Sequence, residues 1–420
     1  MSPHSSHREG NTDIPLDVIE LIMEELAKDD DMEALKSSSL ACSFFRSICQ
    51  QHIFASIKFD FSKPPFEYPL ASRFRRLADR KPSIARYVRI LQYIDVVDSK
   101  REAPVLRRFS HVKFFTLAFD VEDPSPLNPD PPPQDWNRTT VSLQTSFCSF
   151  IQANNITRLY LCNIENFPKS LLLHIPTLSL LSIYRVTLAD SPPPFTFIGK
   201  QVTPRLSILN AQLGEDLPTI RDLLGSGSAE SSSMVNLSHL KQFIARTRDQ
   251  PAAMEIIGQV LKATESIEKL MLSGNYPELN CVGKIASALS PSSLQTLKMI
   301  GLSPLLESSD ADPYLNLTKE LEEISGRNVL EEIVFDIAIP ADRDYTPDPG
   351  QWAQLDVALS MADGFPLLRH VKITISLYCY CHLGHQEILR KMWDIGRNGF
   401  PRLVAAGQVD FIFNAQIELL

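Results

Sequence analysis

The sequence has no apolar run approaching the roughly 20 residues that a membrane-crossing helix needs. This argues against a helix that spans a bilayer, and no membrane partner is expected. Its opening residues, MSPHSSHREGNTD, lack the apolar core of a secretory signal, and residues 1–12 are expected to form a disordered tail. There is no Gly-rich phosphate loop, no dinucleotide fingerprint, no G-x-S-x-G elbow and no H-E-x-x-H pair. No cofactor is expected. Positive charge is also short: 41 Lys and Arg stand against 50 Asp and Glu, a net charge of −9. That balance argues against nucleic acid as the main partner. The seven cysteines are odd in number and scattered, which suits a reducing, cytoplasmic or nuclear setting better than a disulfide framework.

What is present begins at Ile14. Pro15 suits the start of a helix, because the N–H it lacks would be orphaned there anyway. Val18, Ile19, Ile22 and Leu26 then recur at helical spacing. The acidic run Asp29, Asp30 and Asp31 ends this helix and can cap a second one with Met32, Leu35 and Leu40 on its apolar side. Ser43 can cap a third, which carries Phe44, Phe45, Ile48, Cys49 and Ile53.

These residues resemble an F-box over 13–60. The apolar residue followed by proline, Ile14-Pro15, opens it, and Ser39-Leu40-Ala41-Cys42-Ser43-Phe44-Phe45-Arg46 is similar to its core segment, with Phe45 where a tryptophan is commonest. The resemblance implies docking on a Skp-type adaptor and, through it, a cullin ubiquitin ligase. By motif match it carries Ile14, Pro15, Val18, Ile22, Leu40, Ala41, Cys42 and Phe45 to the docking module. It also implies that the chain catalyses nothing itself, because ubiquitin transfer belongs to the partners.

Residues 61–84 read as a connecting loop followed by a linker helix over 71–81, stopped by Pro82. The segment from Ile84 to Leu91 is expected to run into a strand. Arg73, Arg76 and Arg80 are best taken as a solvated helix face. From residue 85 to 420 a frame, apolar-x-x-apolar-x-apolar, returns at irregular spacing. It appears as Val112/Phe115/Leu117, Ile156/Leu159/Leu161, Leu178/Leu181/Ile183, Ile267/Leu270/Leu272, Leu294/Leu297/Met299, Leu330/Ile333/Phe335 and Leu368/Val371/Ile373. Helical stretches fall between copies, over 252–263, 282–289, 314–324, 352–361 and 387–395. The alternation predicts an α/β architecture and resembles an irregular leucine-rich-repeat solenoid, a domain suited to holding a protein substrate of unknown identity. A closed or doubly wound α/β domain would give the same alternation. Loops are expected at 123–135, proline-rich and acidic, and at 225–233, rich in Gly and Ser. The strand near the end, 407–413, can cap the last open edge.

One cluster could hold chemistry. Cys379, Cys381, His382 and His385 lie close together, and Cys and His are zinc ligands. Their C-x-C-H-x-x-H spacing fits no common zinc motif, and two thiols on one strand face also pack well. The expectation is a structural role with no metal. Two other readings remain: an F-box scaffold uncoupled from degradation, and a metalloenzyme built on Cys379 to His385.

Overall fold

The computed structural model describes residues 15–61, 70–94, 103–119, 132–190, 197, 200–213, 217–225, 233–247, 252–275, 280–306, 312–340, 348–361, 363–379 and 385–419, without the side chains of 379, 385 and 419. The tail at 1–12, Ile14, and most of the loops at 123–135 and 225–233 lie outside them.

Apolar side chains at alternate positions make one face of a strand adhesive, and here that face is shared by a single parallel sheet. Its strands are β1 Ser56–Asp60, β2 Ile90–Ile94, β3 Phe114–Ala118, β4 Gln134–Asp135, β5 Arg158–Pro168, β6 Leu180–Ala189 and β7 Ile208–Leu213. The rest are β8 Gln242–Thr247, β9 Lys269–Asn275, β10 Met299–Leu305, β11 Glu332–Pro340, β12 His370–Cys379 and β13 Asp410–Leu419. Each strand pairs with the next in chain order, except that the short β4 sits beside β5, off the main path. All the pairs are parallel. The chain is therefore α/β. The order never reverses, so the doubly wound alternative, which needs a reversal point, does not apply.

The register is continuous. Ile57, Leu91, Phe115, Leu159, Leu181 and Leu209 are successive Cα partners, followed by Phe243, Leu270, Ile300, Ile333, Val371 and Phe411. Two residues along each strand, a second row runs from Phe59 through Tyr93, Leu117 and Ala211 to Phe335 and Phe413. Six of the seven frames read from sequence supply their last two apolar positions to these rows. Leu294/Leu297/Met299 does not: the row takes Ile300 and Leu302, three residues later, and Leu294 lies on a short helix.

The helices of this domain are α4 Leu70–Arg80, α5 Ser83–Tyr87, α6 Val141–Ala153, α7 Leu217–Leu224 and α8 Ala253–Lys262 in its first part. Then come α9 Pro291–Leu294, α10 Leu317–Ile324, α11 Pro349–Leu359, α12 His385–Asn398 and α13 Pro401–Ala405. Their buried faces join the inward strand rows in one core. The segment over 282–289 is a series of turns rather than a helix. Ile84 to Tyr87 belongs to α5, with the strand starting only at Ile90. Gln134 and Asp135, expected in a solvated loop, pair with Ile164 and Glu165 and lead to the buried Trp136.

Between strands, buried polar side chains satisfy the backbone where helices end. Asn154 donates to the carbonyls of Phe109 and Phe150, at 3.0 and 2.8 Å, and accepts from the Val112 N–H at 2.8 Å. Asn328 does the same for Ile324, Gly364 and Leu330. Glu320 accepts from the amides of Gly283, Ile285 and Ala286 and so holds the turns that replace a helix there. Asp356 of α11 accepts from the Leu403 and Arg402 amides, at 2.8 and 3.2 Å, at the start of α13. Buried groups of this kind are tolerated only when bonded, and these are.

The N-terminal helices are α1 Leu16–Lys28, α2 Met32–Ala41 and α3 Ser43–Ile53, labelled apart because they have a core of their own. Ser56–Asp60, read from sequence as the end of this module, is instead the first strand of the sheet. Ile57 and Phe59 alternate inward there, and the carbonyl of Ala55 accepts from Arg89 and Ile90. The linker read over 61–84 likewise belongs to the sheet domain, since Ala71, Phe74, Ala78 and Ile84 enter its core.

Candidate docking surface

Helix α1 begins after Pro15 and ends in the acidic run, where Asp30 takes a positive φ of 56°. Asp31 caps α2, its carboxylate accepting from the Ala34 N–H at 3.0 Å. The cap of α3 is Cys42 rather than Ser43: its Sγ accepts from the Phe45 N–H at 3.5 Å, and Ser43 is the first helical residue.

Three helices this short can enclose little. Met23, Leu35, Ile48 and Cys49 are the buried core, with the Cys49 thiol 3.6 Å from the Met23 sulfur. Ile19, Leu26, Ala27, Met32, Phe45 and Ile53 pack around them, half-buried. The remaining apolar residues face outward. Val18 is 40% exposed, Ile22 48% and Leu40 78%, and Leu16, Leu21 and Phe44 are exposed as well. Pro15, Ala41 and Cys42 are also exposed.

The residues carried over by resemblance are thereby sorted. Val18 and Ile22 lie four apart on one face of α1, with Leu21 between them at the complementary spacing, on a side turned away from Met23. Leu40, Ala41 and Cys42 gather at the junction of α2 and α3, beside Phe44. Phe45 is the exception: it turns toward the core while its ring stays edge-on to Phe44, with centroids 5.8 Å apart. Ile14 lies outside the described residues.

Leu16 and Leu21 are not among the residues read from sequence, and Phe44, read as part of the third helix and the motif, is not among those carried to the docking module. The signal for the first two was the width of the apolar arc on α1. Ile19, Met23 and Leu26 suffice to face a core, so Leu16, Val18, Leu21 and Ile22 are in excess of what one buried stripe requires.

The module is not free of the sheet domain. α3 packs on α5, Phe54 joins the large core, and the Lys81 ammonium donates to the Gln50 side chain at 2.7 Å.

Elsewhere, no group of three or more metal-ligating side chains occurs among the described residues. The Cys379–His385 cluster lies outside them but for the backbone of its two end residues. Burial pushes the Cys148 thiol up to about 11 and raises Cys281 further, so both thiols stay protonated. Burial also raises Asp312, against the bonds its carboxylate accepts from the Tyr314 and Asn316 amides. No described helix is long and apolar enough to cross a membrane.

No family model matches the chain, and no curated protein matches it.

Proposed function

We propose that the chain is an F-box substrate receptor: its N-terminal helices dock a Skp-type adaptor and through it a cullin, and its sheet domain holds a protein substrate. The observation that carries this reading is the exposure of Val18, Leu21, Ile22, Leu40 and Phe44 on a module whose own core is four side chains. Apolar side chains concentrated on so small a unit are unfavourable in water, and covering them with a partner surface would stabilise the pair by about 25 cal/mol per Å². The F-box resemblance names the partner. In-register apolar rows across consecutive parallel strands favour reading the second domain as an irregular leucine-rich-repeat-like solenoid. On this reading the chain catalyses nothing and works in the cytoplasm or nucleus.

The test is co-purification of the full chain with a Skp-type adaptor, followed by addition of a cullin. The proposal expects a stable ternary complex. An adaptor that does not bind would overturn it, and an adaptor that binds without recruiting cullin would reduce it to a scaffold.

A further inference from the structure

The outward rows of the sheet should be polar, because alternate residues face solvent. One row obeys this over the first part of the sheet, through Lys58, Gln92, Thr116, Tyr160, Ser182 and Asn210 on β1 to β7. It then changes character. On β8 to β11 it reads Ile244 and Met271, half-buried, then Gly301 and Val334, buried, and it returns to charge at Lys372 on β12. The Met271 thioether lies over Gly301, in space that a Cβ on this residue would share.

Charge flanks the band with opposite signs. Arg246 on β8 and Lys269 on β9 stand at one end, and Glu332 and Asp336 of β11 at the other, with Lys372 beyond. None of these four is ion-paired to another described residue. The row at the strand entrances shows the contrast, since there Lys241 meets Glu268 at 2.8 Å and Lys298 meets Glu331 at 3.4 Å. Charges that a sheet can pair, and here leaves unpaired around an apolar floor, are available to a ligand.

We propose that this band binds a segment of a partner polypeptide whose apolar side chains are flanked by acidic residues at one end and basic residues at the other. A nucleic acid presents one sign only and cannot satisfy both ends, and a zwitterionic phospholipid headgroup holds its two charges too close together to reach from β8 to β11. Three strand spacings from β8 to β11 span about 14 Å, the reach of about four extended residues. The inference rests on, and narrows, the substrate-holding half of the proposed function. Adaptor capture by the N-terminal helices is a separate measurement, so failure of one is distinguishable from failure of the other.

The test is fluorescence polarisation of the full chain with labelled peptides about ten residues long, apolar at the centre. Their ends are acidic and basic, acidic at both, basic at both, or neutral. The unaltered chain should bind the opposite-ended set at least about tenfold more tightly than the others, less so in high salt. Arg246→Glu with Lys269→Glu should move the preference to peptides basic at both ends. Glu332→Lys with Asp336→Lys should move it to peptides acidic at both. Met271→Ser, which leaves every charge in place, should weaken all sets. Circular dichroism would verify that each variant is folded. Binding that is indifferent to the end charges, preferences unmoved by both double substitutions, or capture of phosphatidylcholine vesicles without any peptide binding would overturn the proposal.

Discussion

The two regions of this chain treat apolar side chains in opposite ways. The sheet domain turns most of them inward, into rows that pass from strand to strand without a break, and Phe59, Phe115, Phe243 and Phe335 among its rings are wholly covered. The N-terminal module buries four and leaves more than that outside. Size explains part of the contrast, since a unit of this length cannot enclose much. It does not explain placement. Val18, Leu21 and Ile22 share one face of α1, and Leu40 and Phe44 flank one helix junction, where polar residues would serve a free-standing bundle better. Where burial is complete, a side chain serves folding; where exposed apolar side chains cluster, as on this module, they are free to serve a partner.

Substitutions should separate these roles. The largest effect is expected in the sheet. Phe335→Ala removes a fully buried ring that lies against Tyr314, with centroids 4.9 Å apart, and should cost about 3–5 kcal/mol in urea denaturation of the sheet domain. Adaptor capture should survive it. Leu35→Ala, at the centre of the small core, should cost about 2–5 kcal/mol, enough to melt the module. Because α3 packs on α5, the comparison sharpens if the sheet's transition stays in place, and it breaks if both regions unfold together.

Phe45→Ala belongs between the two classes, because the ring touches the small core and is still partly exposed. Truncation should weaken adaptor binding by about 2 kcal/mol or more, a roughly thirty-fold change in affinity read by calorimetry, and should also lower the module's melting temperature. Glu320→Ala leaves three backbone amides without their acceptor. Bonds to an ionised group of this kind are worth about 1.5–3 kcal/mol, and hydrogen exchange should quicken at Gly283, Ile285 and Ala286 before it does on the strands.

Much of the fold was legible in the sequence, for a physical reason: an inward strand position tolerates little besides a large apolar side chain. The frames around Phe115, Leu159, Leu270 and Val371 announce themselves in that way. Those at Leu206/Leu209/Ala211 and Leu240/Phe243/Ala245 did not, because alanine fills the last inward position and carries little apolar signal. At Leu294 to Leu302 two frames overlap, and only hydrogen bonding to Leu270 and Ile333 selects the later one. The first strand was hidden because Ile57 and Phe59 follow α3 after a two-residue turn and look like its continuation. At the docking surface, residue types were legible and orientation was not. Phe44 and Phe45 are adjacent and chemically alike, and which of them faces inward depends on how α3 is set by the Cys42 cap.

The most direct measurement pairs affinity with stability in a chain carrying Ile22→Glu and Leu40→Glu. Both positions are exposed, so thermal unfolding should move by no more than about 0.5 kcal/mol. Placing two carboxylates on an apolar interface should nevertheless abolish capture of the Skp-type adaptor. An unfolded module would show that these side chains belong to the core, and undiminished adaptor binding by a folded variant would show that this face is not where the partner docks.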